Sequence, residues 1–368
     1  MRVLIAPDKF KGSLSALEVC HAIRNGLEKN RKKIETVFHP MADGGDGSLE
    51  ILAGHLQLKA QKINTTDPLG RTLSANYFTS SNAAFIEVAS ASGLVLLNKE
   101  ERNPLLTSTY GTGKMIADAI QRGFNNIYLF LGGSATNDAG MGIATALGCQ
   151  FLDAEKKLLQ PAGGNLSEVH FIKKEIHFDL KKISLTLLCD VTNPLHGPAG
   201  AAHVYARQKG ASNEQIKLLD EGLNHFGKII FQQTGMEVHN IPGSGAAGGI
   251  GAGLVALFGA ELKSGFAAIA ELTGLEEHIK SADWVISGEG KLDVQSLQGK
   301  VVDGIARLCK KYRKPLTLFV GKNDLAQSEL DKISVKNVFS IAETANDLED
   351  AMQNGAYYLE KLSHQLIF

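Results

Sequence analysis

Short apolar runs of strand length alternate with helix-length amphipathic stretches at both ends of this chain but not in its middle, and that interruption constrains the fold more than any other feature. Residues 3–6 form a continuous apolar run, as expected of a parallel strand buried on both faces. Leu14, Leu17, Val19, Ile23 and Leu27 then recur at helical spacing, with Ser13 or Ser15 placed to cap the helix. A second strand at 36–39 leads through a glycine-rich turn into a helix beginning near Ser48. At the other end, strands at 284–286, 316–320 and 338–341 alternate with helices at 301–311 and 348–362. Two early strands and three late ones suit a flavodoxin-like, doubly wound parallel sheet. The fold class is therefore α/β in two domains: a discontinuous flavodoxin-like domain from residues 1–63 and 265–368, and an inserted mixed α/β domain from 64–264.

The middle reads differently. A DPLGR turn from Asp67 joins alternating segments at 73–78 and 83–88, the pattern of antiparallel strands. Strands at 127–131 and 184–188 and helices at 137–147 and 213–232 follow. At 368 residues the chain exceeds the size, about 250–300 residues, at which one core stops growing, so two domains with a cleft between them are expected.

The charge balance excludes several functions. Lys plus Arg at 38 against Asp plus Glu at 39 provides no long-range field for nucleic acid or anionic membrane, which leaves a small molecule as partner and a homo-oligomer open. The basic run at 29–33 reads as a solvated helix end. Cys20, Cys149, Cys189 and Cys309 show no metal-ligand or disulfide spacing, as in a reducing cytosol. The apolar run at 1–6 is too short for a signal-peptide core, so the mature chain is expected to start there and be cytoplasmic. The uncharged stretch 246–260 falls short of the roughly 20 residues a membrane span needs.

Glycine is concentrated in short segments that also carry Ser, Thr, Asn and Asp, a mixture that lets backbone N–H groups approach phosphate while carboxylates hold a metal. APDKFKGSLSA (6–16) puts Asp8, Lys9 and Lys11 at the carboxyl end of the first strand, the ligand edge of an open α/β sheet, where the alternative is a solvated loop. PMADGGDGS (40–48) repeats that logic with Asp43 and Asp46, or is an ordinary turn and cap. GGSATNDAGMG (132–142) follows a strand and opens a helix, so Gly132, Gly133 and Ser134 are the phosphate-cradle candidates; a cap needs only one of Asn137 and Asp138. CDVTNPLHG (189–197) sets Asp190 and Asn193 beyond a strand, where a carboxylate can accept a hydroxyl proton or bind magnesium; His196 is a ligand, a base or a packing residue. SGEGKLDVQSLQGK (287–300) gathers Glu289, Asp293, Lys291 and Lys300, a set suited to a magnesium–phosphate site or a charged loop.

PGSGAAGGIGAG (242–253) contains Gly243, Gly245 and Gly248 in a GxGxxG match, yet no apolar strand precedes it and Glu261, the first acidic residue after it, sits at an apparent helix end. A glycine-packed helix near phosphate fits better than a dinucleotide fingerprint. No Walker P-loop exists, because Gly113-Lys114, Gly299-Lys300 and Gly321-Lys322 are followed by Met, Val and Asn.

Taken in order, PDKFKGS, ADGG, GGSATND, CDVTNPL, PGSGAAGG and SGEGKLDVQ resemble the bacterial glycerate kinase type-1 family across essentially the whole chain. The resemblance implies transfer of the ATP γ-phosphoryl group to glycerate, a two-domain fold with a flavodoxin-like part, and a divalent metal. Chemistry then suggests Asp190 as proton acceptor with Asp43 in reserve, and Lys9 as a catalytic cation. Lys11, Arg71 and Asn193 are expected on glycerate. Gly132, Gly133, Ser134, Asn137, Asp138, Ser244, Gly245 and Lys291 are expected on ATP, and Glu289 and Asp293 on Mg2+. A nucleotide-dependent oxidoreductase using the GxGxxG, or a non-catalytic sensor of a small ligand, are the competing readings.

Overall fold

In the computed structural model, which describes residues 1–29, 34–45 and 47–367, the chain divides into two compact units, Met1–His55 with Ser264–Phe368 and Leu56–Lys263. Asp46 and most of the basic run at 29–33 lie outside the described residues. The strands are, in chain order, β1 (Arg2–Ile5), β2 (Glu35–Phe38), β3 (Lys59–Thr66), β4 (Thr72–Thr79), β5 (Ala83–Glu87), β6 (Asn126–Phe130) and β7 (Cys149–Leu152). They continue as β8 (Phe171–Lys174), β9 (Ser184–Leu188), β10 (Glu261–Lys263), β11 (Trp284–Leu292), β12 (Leu316–Asn323) and β13 (Asn337–Ser340).

The first unit is built on a sheet of order β13-β12-β11-β1-β2 with every neighbouring pair parallel. Numbered within the unit, this is the flavodoxin-like order 2-1-3-4-5. Val3, Ile5, Trp284, Ile286 and Phe319 of the sheet pack with Val19, Ile23 and Leu27 of helix Ala16–Glu28 and with Leu359 and Leu362 of helix Gly355–His364. Ser15 caps the first helix in a reciprocal box: its Oγ accepts from Glu18 N–H, and the Glu18 carboxylate accepts from Ser15 N–H. The two helices touch at Gly26, where a Cβ would lie 2.2 Å from the carbonyl oxygen of Glu360.

The second unit carries a mixed sheet of order β10-β9-β6-β5-β4-β3 and a separate antiparallel pair, β7-β8. β3, β4 and β5 run antiparallel, while β5, β6, β9 and β10 are parallel. Its core gathers Tyr77, Ile86, Leu129 and Leu187 of the sheet with Phe226 of helix Asn213–Thr234, which Ser212 and Gln215 cap. A boundary between 63 and 64 would run through β3, all of which belongs to this unit. The strand hides from sequence reading because six of its eight residues, in KAQKINTT, are polar and it pairs only along one edge.

Three expected elements differ. The helix expected over 137–147 is Met141–Ala146, that expected over 348–362 breaks into Leu348–Gln353 and Gly355–His364, and β11 continues through the acidic motif to Leu292. Among the described residues no helix is long and apolar enough to cross a membrane, and the four cysteines are free.

Candidate active site

In the first sheet β1 lies between β2 and β11, so the strand order reverses there, and open α/β sheets bind ligands in the crevice beyond the carboxyl ends of the strands at such a switch point. Backbone bonds carry the pairing into that crevice: Ala6 N–H donates to Ile286 O and Asp8 N–H to Gly288 O, each at 2.8 Å, and Ser287 Oγ–H donates to Ala6 O at 2.8 Å. Asp8 and Glu289 therefore emerge side by side although they are distant in sequence. Burial pushes the Asp8 carboxyl up to about 7, with the Asp43 charge adding to the effect and Lys9 and Lys300 opposing it. Glu289 is likewise pushed up to about 7, first by burial and then by the charges of Asp8 and Asp293, against a hydrogen bond from the Ser296 side chain and the charge of Lys300. Its Oε1 is buried with no hydrogen-bond partner.

A buried carboxylate oxygen without a donor is costly, and a cation would satisfy it. Among the described residues no cluster of three or more His, Cys, Asp or Glu could cage a metal. Magnesium does not need one, since it is commonly held by one or two carboxylates with substrate phosphate and water filling the other positions. Asp8 and Glu289 fit that requirement. Asp293 does not, because its carboxylate accepts from Gln295 N–H at 2.9 Å to cap a turn and lies 3.2 Å from Lys291 Nζ. Lys291 in turn sits between Asp293 and Asp324. The expected metal ligand and the expected phosphate-binding lysine thus neutralise each other. Asp43 accepts from Gly45 N–H at 3.0 Å, Lys9 follows Asp8 directly, and Lys11 is exposed on the same loop.

The second unit has its own ligand edge, where β6 and β9 end together with Phe130 beside Leu188. Gly132 and Gly133 are exposed there, and Asp190 stands half-buried just past β9, its charge acting on the Cys189 thiol. Beyond Gly133 the motif turns inward. Asp138 is fully buried and accepts from Thr109 N–H and Oγ1–H at 2.8 Å each, Gly140 N–H at 3.2 Å and Gly142 N–H at 3.1 Å. It occupies the helix start that the sequence suggested for an anion, so neither that terminus nor Asp138 is open to ATP. Asn137 is also fully buried, with neither side-chain amide atom hydrogen-bonded.

Several other expected contacts are structural. Arg71 is held by Asp67 and Glu101 rather than left for a substrate carboxylate. Asn193 donates from Nδ2 to Ala199 O at 2.8 Å and accepts from Tyr205 Oη–H at 2.7 Å. Ser244 is buried and donates to His239 O at 2.9 Å, and Gly245 N–H donates to Asn193 O at 3.0 Å. His196 stacks on His239 with ring centroids 3.8 Å apart. The GxGxxG run is a packing surface: Ala247, Gly248 and Gly249 adopt left-handed backbone, and a Cβ on Gly248 would lie 2.2 Å from Thr136 O. With no strand before it, and with Glu261 opening β10 rather than ending a helix, the dinucleotide reading loses its geometry.

Sequence reasoning missed Lys209. It is only 2% exposed, and its Nζ donates to Ser134 Oγ at 2.9 Å and Thr136 O at 2.7 Å, fixing the inner half of the GGSATND loop. Burial lowers its pKa to about 7, with the Asp138 charge opposing. The only signal in RQKGAS is a lysine beside glycine, which belongs to no motif.

The chain matches the glycerate kinase family model over residues 3–368. It is 40% identical to a glycerate kinase of Halalkalibacterium halodurans over 99% of this chain and 97% of that one. It is also 40% identical to the glycerate 2-kinase of Escherichia coli K12, over 97% of this chain and 94% of the relative. The crystal structure of a protein described as putative glycerate kinase 2 from Salmonella typhimurium LT2 shares the fold at a TM-score of 0.85 and 36% identity, covering 99% of this chain and 97% of that one.

Proposed function

This chain belongs to the glycerate kinase family, and from that we propose that it transfers the γ-phosphoryl group of ATP in line to the 2-hydroxyl of D-glycerate, in the cytoplasm, releasing ADP and 2-phosphoglycerate. The regiochemistry follows the Escherichia coli relative, which is named a glycerate 2-kinase. One observation carries the site: paired, desolvated Asp8 and Glu289 at the switch point of the first sheet, the second with an unpartnered buried oxygen.

Asp8 and Glu289 would hold Mg2+, which would supply positive charge against that of the phosphates. Lys9 and Lys300, whose charges already act on Asp8, stabilise the negative charge that spreads over the transferring group. Lys11 takes the carboxylate of glycerate. Asp190 accepts the hydroxyl proton, while Asp43, anchored to Gly45 N–H, adds its charge to Asp8. The exposed backbone of Gly132 and Gly133 offers approach to an anion.

Phosphorus NMR of the product from D-glycerate and ATP tests the reaction: 2-phosphoglycerate is expected, and 3-phosphoglycerate would overturn the regiochemistry. In the same assay Asp190→Asn should lower kcat by about 100-fold with little change in KM, and near-normal turnover would remove Asp190 from the mechanism.

A further inference from the structure

We infer that the nucleoside half of ATP is held by the first unit alone, in a pocket of about 530 Å3 whose lining runs from Asp8 through the ends of β1 and β2 to helices Ala16–Glu28 and Ser48–Leu56. The inference rests on the phosphotransfer reading above and assigns the part of the substrate that reading leaves unplaced.

Size is the first argument. Glycerate has about 7 non-hydrogen atoms and adenosine about 19, and cavities of a few hundred Å3 are those that enclose the larger kind of ligand. A site for the acid alone would leave most of this space as water against apolar walls.

The lining is the second. Leu17, Phe38, Met41 and Ile51 present apolar side chains, the surround that a flat purine ring requires and a small hydroxy acid does not. Glu50, also on the wall, supplies a carboxylate of the kind that accepts ribose hydroxyls at other α/β nucleotide sites.

Continuity is the third. Asp8 and Lys9 border this pocket, and the Asp8 charge acts on Glu289. A single nucleotide can therefore place its base in the apolar space and its phosphates at the carboxylates without leaving the unit. The charged end and the apolar end of the cavity are matched to the charged and apolar ends of one molecule.

The glycine at position 54 provides a clean probe. It lines the pocket, it lies within a helix, and a Cβ built there meets no atom within 4 Å, so a side chain at this position starts into open space. In the full chain, Gly54→Leu is expected to raise KM for ATP, and Kd for ADP by calorimetry, by about tenfold, with KM for glycerate within about twofold of the parent. Leu17→Trp, at a partly exposed position of the same wall, should show tryptophan emission that changes saturably with ADP and not with glycerate. A rise in KM for glycerate with that for ATP unchanged, or ADP affinity unaltered in Gly54→Leu together with emission from Leu17→Trp that ADP leaves unchanged, would overturn the inference. Failure of the parent protein to form ADP from ATP and glycerate would instead sink the phosphotransfer reading, and ADP affinity would still decide the pocket.

Discussion

Asp8 and Glu289 both hold protons well above the pH at which exposed carboxyls lose them, near 4. Because their folded pKa values are raised, the folded chain binds more protons than the unfolded one between about pH 4 and 7, so the pair lowers stability as pH rises through that window. Glu289→Gln removes one of the two charges without changing shape. It is expected to raise the Tm at pH 8 by roughly 2–5 °C and to leave the Tm near pH 4 unchanged, while lowering kcat by about 100-fold. Added Mg2+ should raise the Tm of the parent at pH 8 and not that of the variant; equal melting of the two proteins at pH 8 would contradict this account. Both residues were visible in glycine-rich motifs, but nothing in their separate surroundings says that the two motifs meet. Asp293 looked the better partner because it is near Glu289 in sequence, whereas a strand that continues to Leu292 sends it to a turn with Lys291. Lys209 was invisible because its role lies in what it reaches, Ser134 and Thr136, and not in its neighbours.

At the scale of elements, two helical glycines have opposite meanings. Gly26 allows helix Ala16–Glu28 to touch helix Gly355–His364, and an alanine there would meet both Ser363 Oγ and the Glu360 backbone carbonyl, so Gly26→Ala should cost about 2–4 kcal/mol despite alanine's better helix propensity. Gly54 faces open space, so Gly54→Ala should stabilise by about 0.5–1 kcal/mol. Urea denaturation of both variants reads the sign directly, and a destabilised Gly54→Ala would refute the packing argument. The elements that sequence reading recovered are those whose pattern is local. β1, β9 and β12 are apolar runs buried on both faces, and helix Asn213–Thr234 carries its own cap. Those it missed depend on distant partners: β3 on an edge, the β7-β8 pair, and the three-residue β10, which exists only by pairing with β9. The loop from Gly132 to Gly140 misled for the same reason, since the helix after it is short and its first N–H groups are filled by Asp138.

Across the whole molecule, each unit has a hydrophobic core of its own, and Leu56–Lys263 is continuous in sequence. That segment expressed alone is expected to fold, giving a single cooperative thermal transition and dispersed amide resonances; a chain that stays unfolded would show that its core is insufficient. The discontinuous plan was legible because β-α alternation stops and resumes, although the boundary was blurred by the polar strand at its edge. The parallel sheet of the first unit has a temporal consequence. A ribosome delivers β1 and β2 long before β11, the middle strand that joins them to β12 and β13, so the amino-terminal layer must wait unpaired on one flank while the inserted unit is made. Translation that stops before codon 289 yields a nascent product able to fold its inserted half yet lacking one of the two acids on which phosphate transfer is proposed to depend.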